Sequence, residues 1–240
     1  ATDRAENGLE QRRGLILAGP TASGKSALAL ALASELGGTI INADAMQCYR
    51  ELRLLTARPS LEDEAQAPHR LYGVRAAHEP ANAAWWREAA KAEMAACGYP
   101  ILCGGTGMYV SALVNGIADI PDPGETARAE ARALLAQIGP EALHARLDAP
   151  TAAKLKPGDS QRIARAYEVL IGTGKGIAHW QAQPTDRLQG WDLKMILLDP
   201  PRPDLKTAIE TRFTAMLDGG ALEEARALLA QALPLSLIHI

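Results

Sequence analysis

Long apolar runs are missing from this sequence: no window approaches the roughly 18 consecutive apolar residues that a membrane-spanning helix needs. The first residues, Ala1 to Arg13, are charged and lack the apolar stretch of a signal peptide, so no membrane association and a cytoplasmic location are expected. An excess of positive charge is missing too. With 25 Lys and Arg against 28 Asp and Glu the formal net charge is −3. That argues against a protein that coats nucleic acid without selectivity, and leaves only a local basic face open. Cysteines are few and odd in number. Cys48, Cys97 and Cys103 sit among apolar neighbours, which fits reduced core thiols better than a disulfide framework. The histidines, His69, His78, His144, His179 and His239, show no zinc-ligand spacing, so no transition metal is expected.

What is present suffices for one substantial core with a smaller appended subdomain: of 240 residues, 48% are hydrophobic and 22% charged. The apolar run Gly14–Ala18 meets glycine at Gly19, and the Ala/Leu-rich stretch Lys25–Leu36 stops at Gly37-Gly38, which reads as strand, loop and helix. Further strands are predicted at Thr39–Ala43, Tyr99–Cys103 and Lys194–Leu198. Strands alternating with helical segments predict an α/β fold with a parallel sheet flanked by helices, whose ligands gather at the carboxyl ends of the strands. Between Ile120–Gly124 and Lys156–Asp159, both rich in Pro and Gly, lies a stretch with helical periodicity and no strand signal, read as a small helical insertion. The expected organisation is a core over 14–117, the insertion over 118–158 and a return to the core over 159–232.

The sequence Gly19-Pro20-Thr21-Ala22-Ser23-Gly24-Lys25-Ser26 is a complete G-x-x-x-x-G-K-S match between a strand and a helix, the context that makes this pattern specific. Successive backbone N–H groups and the helix N-terminus can surround phosphate oxygens, Lys25 adds a cation, and the Ser26 hydroxyl can hold Mg²⁺. The fold expectation is therefore P-loop NTPase-like, with a di- or triphosphate group as ligand. A nucleotide hydrolase or kinase pairs this loop with an acidic residue ending a second strand. Asp199 follows Ile196-Leu197-Leu198 but precedes Pro200-Pro201-Arg202-Pro203, and reads as a turn-initiating residue. That leaves Asp44 as the carboxylate expected to face the phosphate site from a neighbouring strand; its competing reading is a helix N-cap.

Gly104-Gly105-Thr106-Gly107-Met108-Tyr109 is a second glycine-rich strand-to-helix turn, where backbone or ligand can approach closely and the Thr106 hydroxyl can donate to a polar atom. Asp159–Leu170 reads as a helix with Asp159 as N-cap; Arg162 and Arg165 share one face of it, and a merely solvated face would look the same. Trp85 and Trp86 read as core or core-edge residues.

Taken together, G-P-T-A-S-G-K-S at 19–26, I-N-A-D-A-M-Q-C-Y at 41–49, T-A-R-P-S at 56–60, A-P-H-R-L-Y at 67–72, G-G-T-G-M-Y at 104–109 and D-S-Q-R-I-A-R at 159–165 closely resemble the tRNA dimethylallyltransferase family in content, order and spacing. The resemblance covers roughly residues 14–232. It implies transfer of a dimethylallyl group from dimethylallyl diphosphate to the exocyclic amine of the adenosine 3′ of a tRNA anticodon, with Mg²⁺ assisting and diphosphate leaving, in a monomer. It also implies that Asp44 acts on the adenine amine, that Lys25 serves the departing diphosphate, that Thr106 contacts the target nucleotide, and that tRNA is touched by Asp44-Ala45-Met46-Gln47, by Gln161-Arg162-Ile163-Ala164-Arg165 and by Arg128. The chemistry suits those residue types: a carboxylate can accept the proton of a weakly nucleophilic amine, and cationic groups can stabilise charge building on the diphosphate. The target base must leave its stack to reach such a site.

Two departures stand out. Ala45 occupies a position where the family usually has Ser, and the ending Leu235–Ile240 does not resemble the family, so residues 233–240 are expected to be a foreign or disordered tail after a truncated frame, with weakened tRNA binding. A small-molecule or nucleoside kinase on the same P-loop scaffold, with Asp44 as base for a hydroxyl, remains the alternative; a phosphate-binding remnant without turnover is a third reading.

Overall fold

A computed structural model of the chain describes residues 11–79 and 81–231. The readings placed on residues 1–10 and on 233–240 fall outside them. Among the described residues five parallel strands carry the fold: β1 (Arg12–Ala18), β2 (Thr39–Asn42), β3 (His69–Arg70), β4 (Pro100–Gly104) and β5 (Trp191–Leu197), in spatial order β3-β2-β4-β1-β5. The helices are α1 (Lys25–Leu36), α2 (Leu61–Gln66), α3 (Ala83–Ala96), α4 (Gly107–Asn115), α5 (Gly124–His144), α6 (Ala149–Ala152), α7 (Ser160–Thr173), α8 (Ile177–Gln181), α9 (Arg202–Asp218) and α10 (Ala221–Leu229). Among the described residues, no helix is long and apolar enough to cross a membrane.

The inner strands β2, β4 and β1 are covered on both faces, as parallel strands require, whereas the edge strand β5 leaves Lys194–Leu197 exposed. Successive residues of a strand point to opposite sides, and the apolar pairs divide accordingly. Ile16, Ile41 and Leu102 join Trp86, Met94, Tyr109 and Leu113 on one side; Leu17, Ile40, Ile101 and Cys103 join Ala29 and Ala33 of α1 on the other. Every residue of β4 is buried. Trp86 stacks on Tyr109 at 4.6 Å and donates its indole N–H to Asn42 O at 2.7 Å, which pins the end of β2 to α3. The expected helix Lys25–Leu36 has those bounds, and Gly37 closes it in the left-handed conformation.

The chain divides into two compact units. One holds the described residues up to Val114 and from Leu188 onward; the other is Asn115–Arg187. The second unit extends past the expected insertion 118–158 and takes in α7. Its stripe of Ile163 and Ala166 packs against Leu143 and Leu147, with Leu134, Leu135 and Ile138 of α5 around them. Helix α5 breaks at Gly139, whose φ of 79° leaves the helical region, and Pro140 restarts it. Cys48 and Cys103 are buried and Cys97 half-buried, all as free thiols.

Candidate functional site

The turn after β1 carries the P-loop to the start of α1. Gly24 takes a φ of 87°, open to glycine at little cost, and α1 begins with no side-chain cap. Its first backbone N–H groups are thus available to an anion, reinforced by the positive end of the helix dipole. Lys25 Nζ donates to Gly19 O at 2.8 Å and Pro20 O at 2.6 Å, which holds the ammonium over the loop. Burial lowers the Lys25 pKa below the ordinary lysine value, against the opposing charges of Cys103 and Asp44. Thr21, Ala22, Ser23, Gly24, Lys25 and Ser26 line a cavity of about 370 Å³.

Asp44 enters the same cavity from the end of β2. Two ties to fully buried Asn42 fix it: Asp44 N–H donates to Asn42 Oδ1 at 2.8 Å, and Asn42 Nδ2 donates to Asp44 O at 2.9 Å. Asp44 Oδ1 accepts the Met46 N–H at 3.0 Å, which ties the carboxylate to the start of the short turn Met46–Cys48, although the cap position of that turn is Ala45. Its other oxygen faces the turn after β4. A Cβ added to Gly105 would lie 3.8 Å from Oδ2 and 3.6 Å from Gly19 O, so glycine keeps that space open between the carboxylate and the P-loop. Gly104 is excluded from bearing a side chain for a different reason, since its Cβ would collide with the Ala43 backbone. Thr106 Oγ1 accepts the Ala45 N–H at 3.2 Å, which sets the hydroxyl one residue from Asp44.

Gln47 and Met46 go to different walls. Gln47 lines the P-loop cavity, its Nε2 donating to Thr56 O at 2.8 Å and Ala57 O at 3.0 Å. Met46 lines a second cavity of about 510 Å³ that shares Thr21, Asp44, Thr56 and Arg212 with the first and is otherwise apolar, with Leu52, Leu55, Ile209, Phe213, Met216 and Leu228. Ala45 is half-buried against the core.

Arg212 is the site residue that the sequence reading missed. It lines both cavities, and burial pulls its pKa down while the charge of Asp44 pushes it back up. One signal was available: on α9 it lies three residues after Ile209 and four before Met216, an arginine within an apolar stripe. Asp199, read as a turn residue, is exposed and lines neither cavity. The buried thiol of Cys103 also borders the P-loop cavity, its pKa pushed up to about 11 by desolvation.

The other residues expected to touch tRNA all lie in the second unit. Asp159 Oδ1 accepts the Arg162 N–H at 3.2 Å and caps α7. Gln161, Arg162 and Arg165 are exposed, with Arg162 paired to Asp159 at 3.5 Å and Arg165 to Glu168 at 3.1 Å. Ile163 and Ala164 lie on the inward face of the same helix. Ile163 is fully buried and Ala164 nearly so, turned inward by the helical period that turns their neighbours out, so their side chains are closed to a partner. Arg128 pairs with Asp122 and, at 3.4 Å, with Glu125. The Gly124 amide, then Arg128 and Arg165, hold the Asp122 carboxyl below the usual carboxylate range, so both arginines act on one neighbourhood.

Comparison with known proteins sets these features in context. The sequence matches the family profile described as IPP transferase over residues 47–238 and one described as isopentenyl transferase over residues 14–78. It is 64% identical over 221 residues to a tRNA dimethylallyltransferase of Acidiphilium cryptum, covering 91% of this chain and 68% of that protein. A protein of the same name from Granulibacter bethesdensis is 60% identical over 236 residues, covering 95% and 74%. Among solved structures, a full-length tRNA isopentenylpyrophosphate transferase from Bacillus halodurans superposes with a TM-score of 0.62 at 29% identity, over 92% of this chain and 71% of that one. A eukaryotic dimethylallyltransferase acting on tRNA gives a TM-score of 0.74 at 25% identity, over 92% and 56%.

Proposed function

From the premise that this chain belongs to the IPP transferase family, we propose that it transfers a dimethylallyl group from dimethylallyl diphosphate to the exocyclic amine of the adenosine 3′ of the anticodon in tRNA, releasing diphosphate. The observation that carries this reading is the junction of the two cavities: a phosphate-binding loop opens directly onto an apolar chamber, and Asp44 stands on the boundary. A phosphate site continuous with an apolar one suits a prenyl diphosphate, whereas a kinase needs polar contacts for its acceptor.

The roles follow from the geometry. The loop amides of α1, Lys25 and Arg212 hold the diphosphate, and the branched five-carbon tail lies against Leu52, Leu55 and Phe213. The adenine amine attacks the carbon bonded to the diphosphate oxygen; the C–N bond forms as the C–O bond breaks, and its electron pair leaves with the diphosphate. Asp44 Oδ2 takes the amine proton, while Oδ1 stays on the Met46 amide and keeps the carboxylate oriented. Charge growing on the leaving oxygens meets Lys25 and Arg212 in a partly desolvated site, where such contacts are strongest. Thr106, anchored on the Ala45 amide, donates its hydroxyl hydrogen to the base.

The donor set also fits Mg²⁺. Ser26 and Asp44 supply hard oxygens on one cavity, which suits a cation held largely by substrate phosphates and water. When bound, Mg²⁺ neutralises charge on the diphosphate. Gln161, Arg162, Arg165 and Arg128 supply contacts to tRNA, and the protein works as a cytoplasmic monomer. Labelled dimethylallyl diphosphate offered with unmodified tRNA, beside labelled ATP with a nucleoside panel, tests the reading: prenylated adenosine is expected, and ATP turnover without prenyl transfer would overturn it in favour of a kinase.

A further inference from the structure

The turn that follows the Asp44 segment is irregular, and three of its successive backbone N–H groups converge on one side chain from the other end of the chain. Glu224 Oε2 accepts from Arg53 at 2.9 Å and Leu54 at 2.8 Å, and Oε1 accepts from Leu55 at 2.9 Å. A carboxylate is suited to this, having two oxygens and about four lone-pair directions, where a hydroxyl offers two. Resting on the prenyl diphosphate reading above, we propose that Glu224 is a positioning residue that sets the wall of the apolar cavity and so recognises the branched five-carbon chain of the substrate.

Two parts of that cavity's lining hang on this contact. From the turn comes Leu55; from α10 comes Leu228, one helical turn after Glu224 and therefore on the same face. Leu55 is 42% exposed, so packing alone does not hold it in place. Without the carboxylate, three neighbouring amides turn to water for partners and take Leu55 with them.

The phosphate side of the same turn is held separately. Gln47 Nε2 binds Thr56 O and Ala57 O, the two residues of the turn that line the P-loop cavity. Glu224 therefore governs the apolar tail, while the diphosphate keeps its own anchors. A general loss of structure would affect both alike, and that difference makes the assignment testable.

Calorimetric titration of the 240-residue chain with dimethylallyl diphosphate and, separately, inorganic pyrophosphate supplies the test, for the wild type, Glu224→Ala and Glu224→Gln. Glu224→Ala is expected to weaken dimethylallyl diphosphate roughly tenfold or more, equivalent to ~1.4 kcal/mol, with pyrophosphate within about twofold of wild type. Glu224→Gln falls between, because its carbonyl oxygen keeps the Arg53 and Leu54 donors while its NH₂ cannot accept from Leu55. Equal losses for both ligands, or no loss for either, overturn the proposal. So does a wild-type chain that binds pyrophosphate as tightly as dimethylallyl diphosphate, since the apolar cavity then contributes nothing. Binding of neither ligand to the wild type rejects the diphosphate reading itself, and this inference with it.

Discussion

The P-loop cavity and the exposed face of α7 both present positive charge, and they are built by opposite means. In the cavity the charge comes from a helix terminus, backbone amides and two desolvated side chains, Lys25 and Arg212, held among fixed neighbours. On α7 it comes from side chains alone: Arg162 is 75% exposed and Arg165 44% exposed, each leaning on an acid three residues away. Charges in a low-dielectric pocket interact strongly and resist salt, whereas exposed ion pairs are worth about 0–1 kcal/mol and are screened. Loss of one group should therefore be severe in the first region and mild in the second.

The largest effect is expected at Asp44. Asp44→Asn keeps an oxygen for the Met46 amide but cannot take a proton, so single-turnover transfer with both substrates saturating should slow by roughly 10²-fold or more. Near-normal rates would leave Asp44 as a tie to the Met46 amide and nothing else.

Within α7 the contrast can be broken on purpose. Ile163→Ala should destabilise the protein by about 2–5 kcal/mol in denaturant unfolding, because a fully buried side chain is removed. Arg162→Ala, one residue away and exposed, should stay within about 0.5 kcal/mol of wild type. Equal costs would mean that the two faces of the helix are wrongly assigned.

Lys25→Ala should weaken dimethylallyl diphosphate or pyrophosphate binding by about 1.5–3 kcal/mol without unfolding the chain, as calorimetry can read. The same lysine sets a pH dependence. Burial lowers its pKa, and a bound diphosphate favours the ammonium, so the pKa is higher in the complex than in the free chain. Between those two values binding takes up a proton. Affinity should therefore be insensitive to this group below the lowered pKa and fall as pH rises through the interval; Lys25→Ala should flatten that slope.

The smallest effects belong to the surface. Arg162→Ala or Arg165→Ala should each cost tRNA affinity no more than about 1 kcal/mol and reduce the slope of log K against log salt by about 1 if the residue contacts a phosphate. Arg165, already paired to a half-buried Glu168, should contribute less than Arg162. A slope unchanged in both variants would remove α7 from the tRNA surface.

How much of this could be read beforehand followed from sequence distance. The P-loop, the bounds of α1, the Asp159 cap and the strands β1, β2 and β4 were legible, to within a residue or two, because each rests on neighbours along the chain: a glycine that permits a turn, a short apolar run, a capping side chain. Asp44 and Thr106 were legible for the same reason, as the last residues before and within strand-to-helix turns. The two-residue strand β3 was not, since so short a segment carries no periodicity, and β5 begins three residues before the predicted Lys194. For α7 the apolar stripe says that the helix is half-buried but not against what; within its unit, α5 supplies the partner.

Local chemistry in the sequence by itself thus determined a P-loop on a parallel α/β sheet, a carboxylate beside it and the family to which the chain belongs. Only tertiary structure decided that Arg212 shares a cavity with Asp44 and the loop, that Ile163 and Ala164 point inward, and that Glu224 ties α10 to a turn 171 residues earlier. The physical reason is that each of these depends on a segment distant along the chain, and the local pattern does not name its partner. An arginine on an apolar stripe or a glutamate in the first turn of a helix is unremarkable until folding sets its partner opposite.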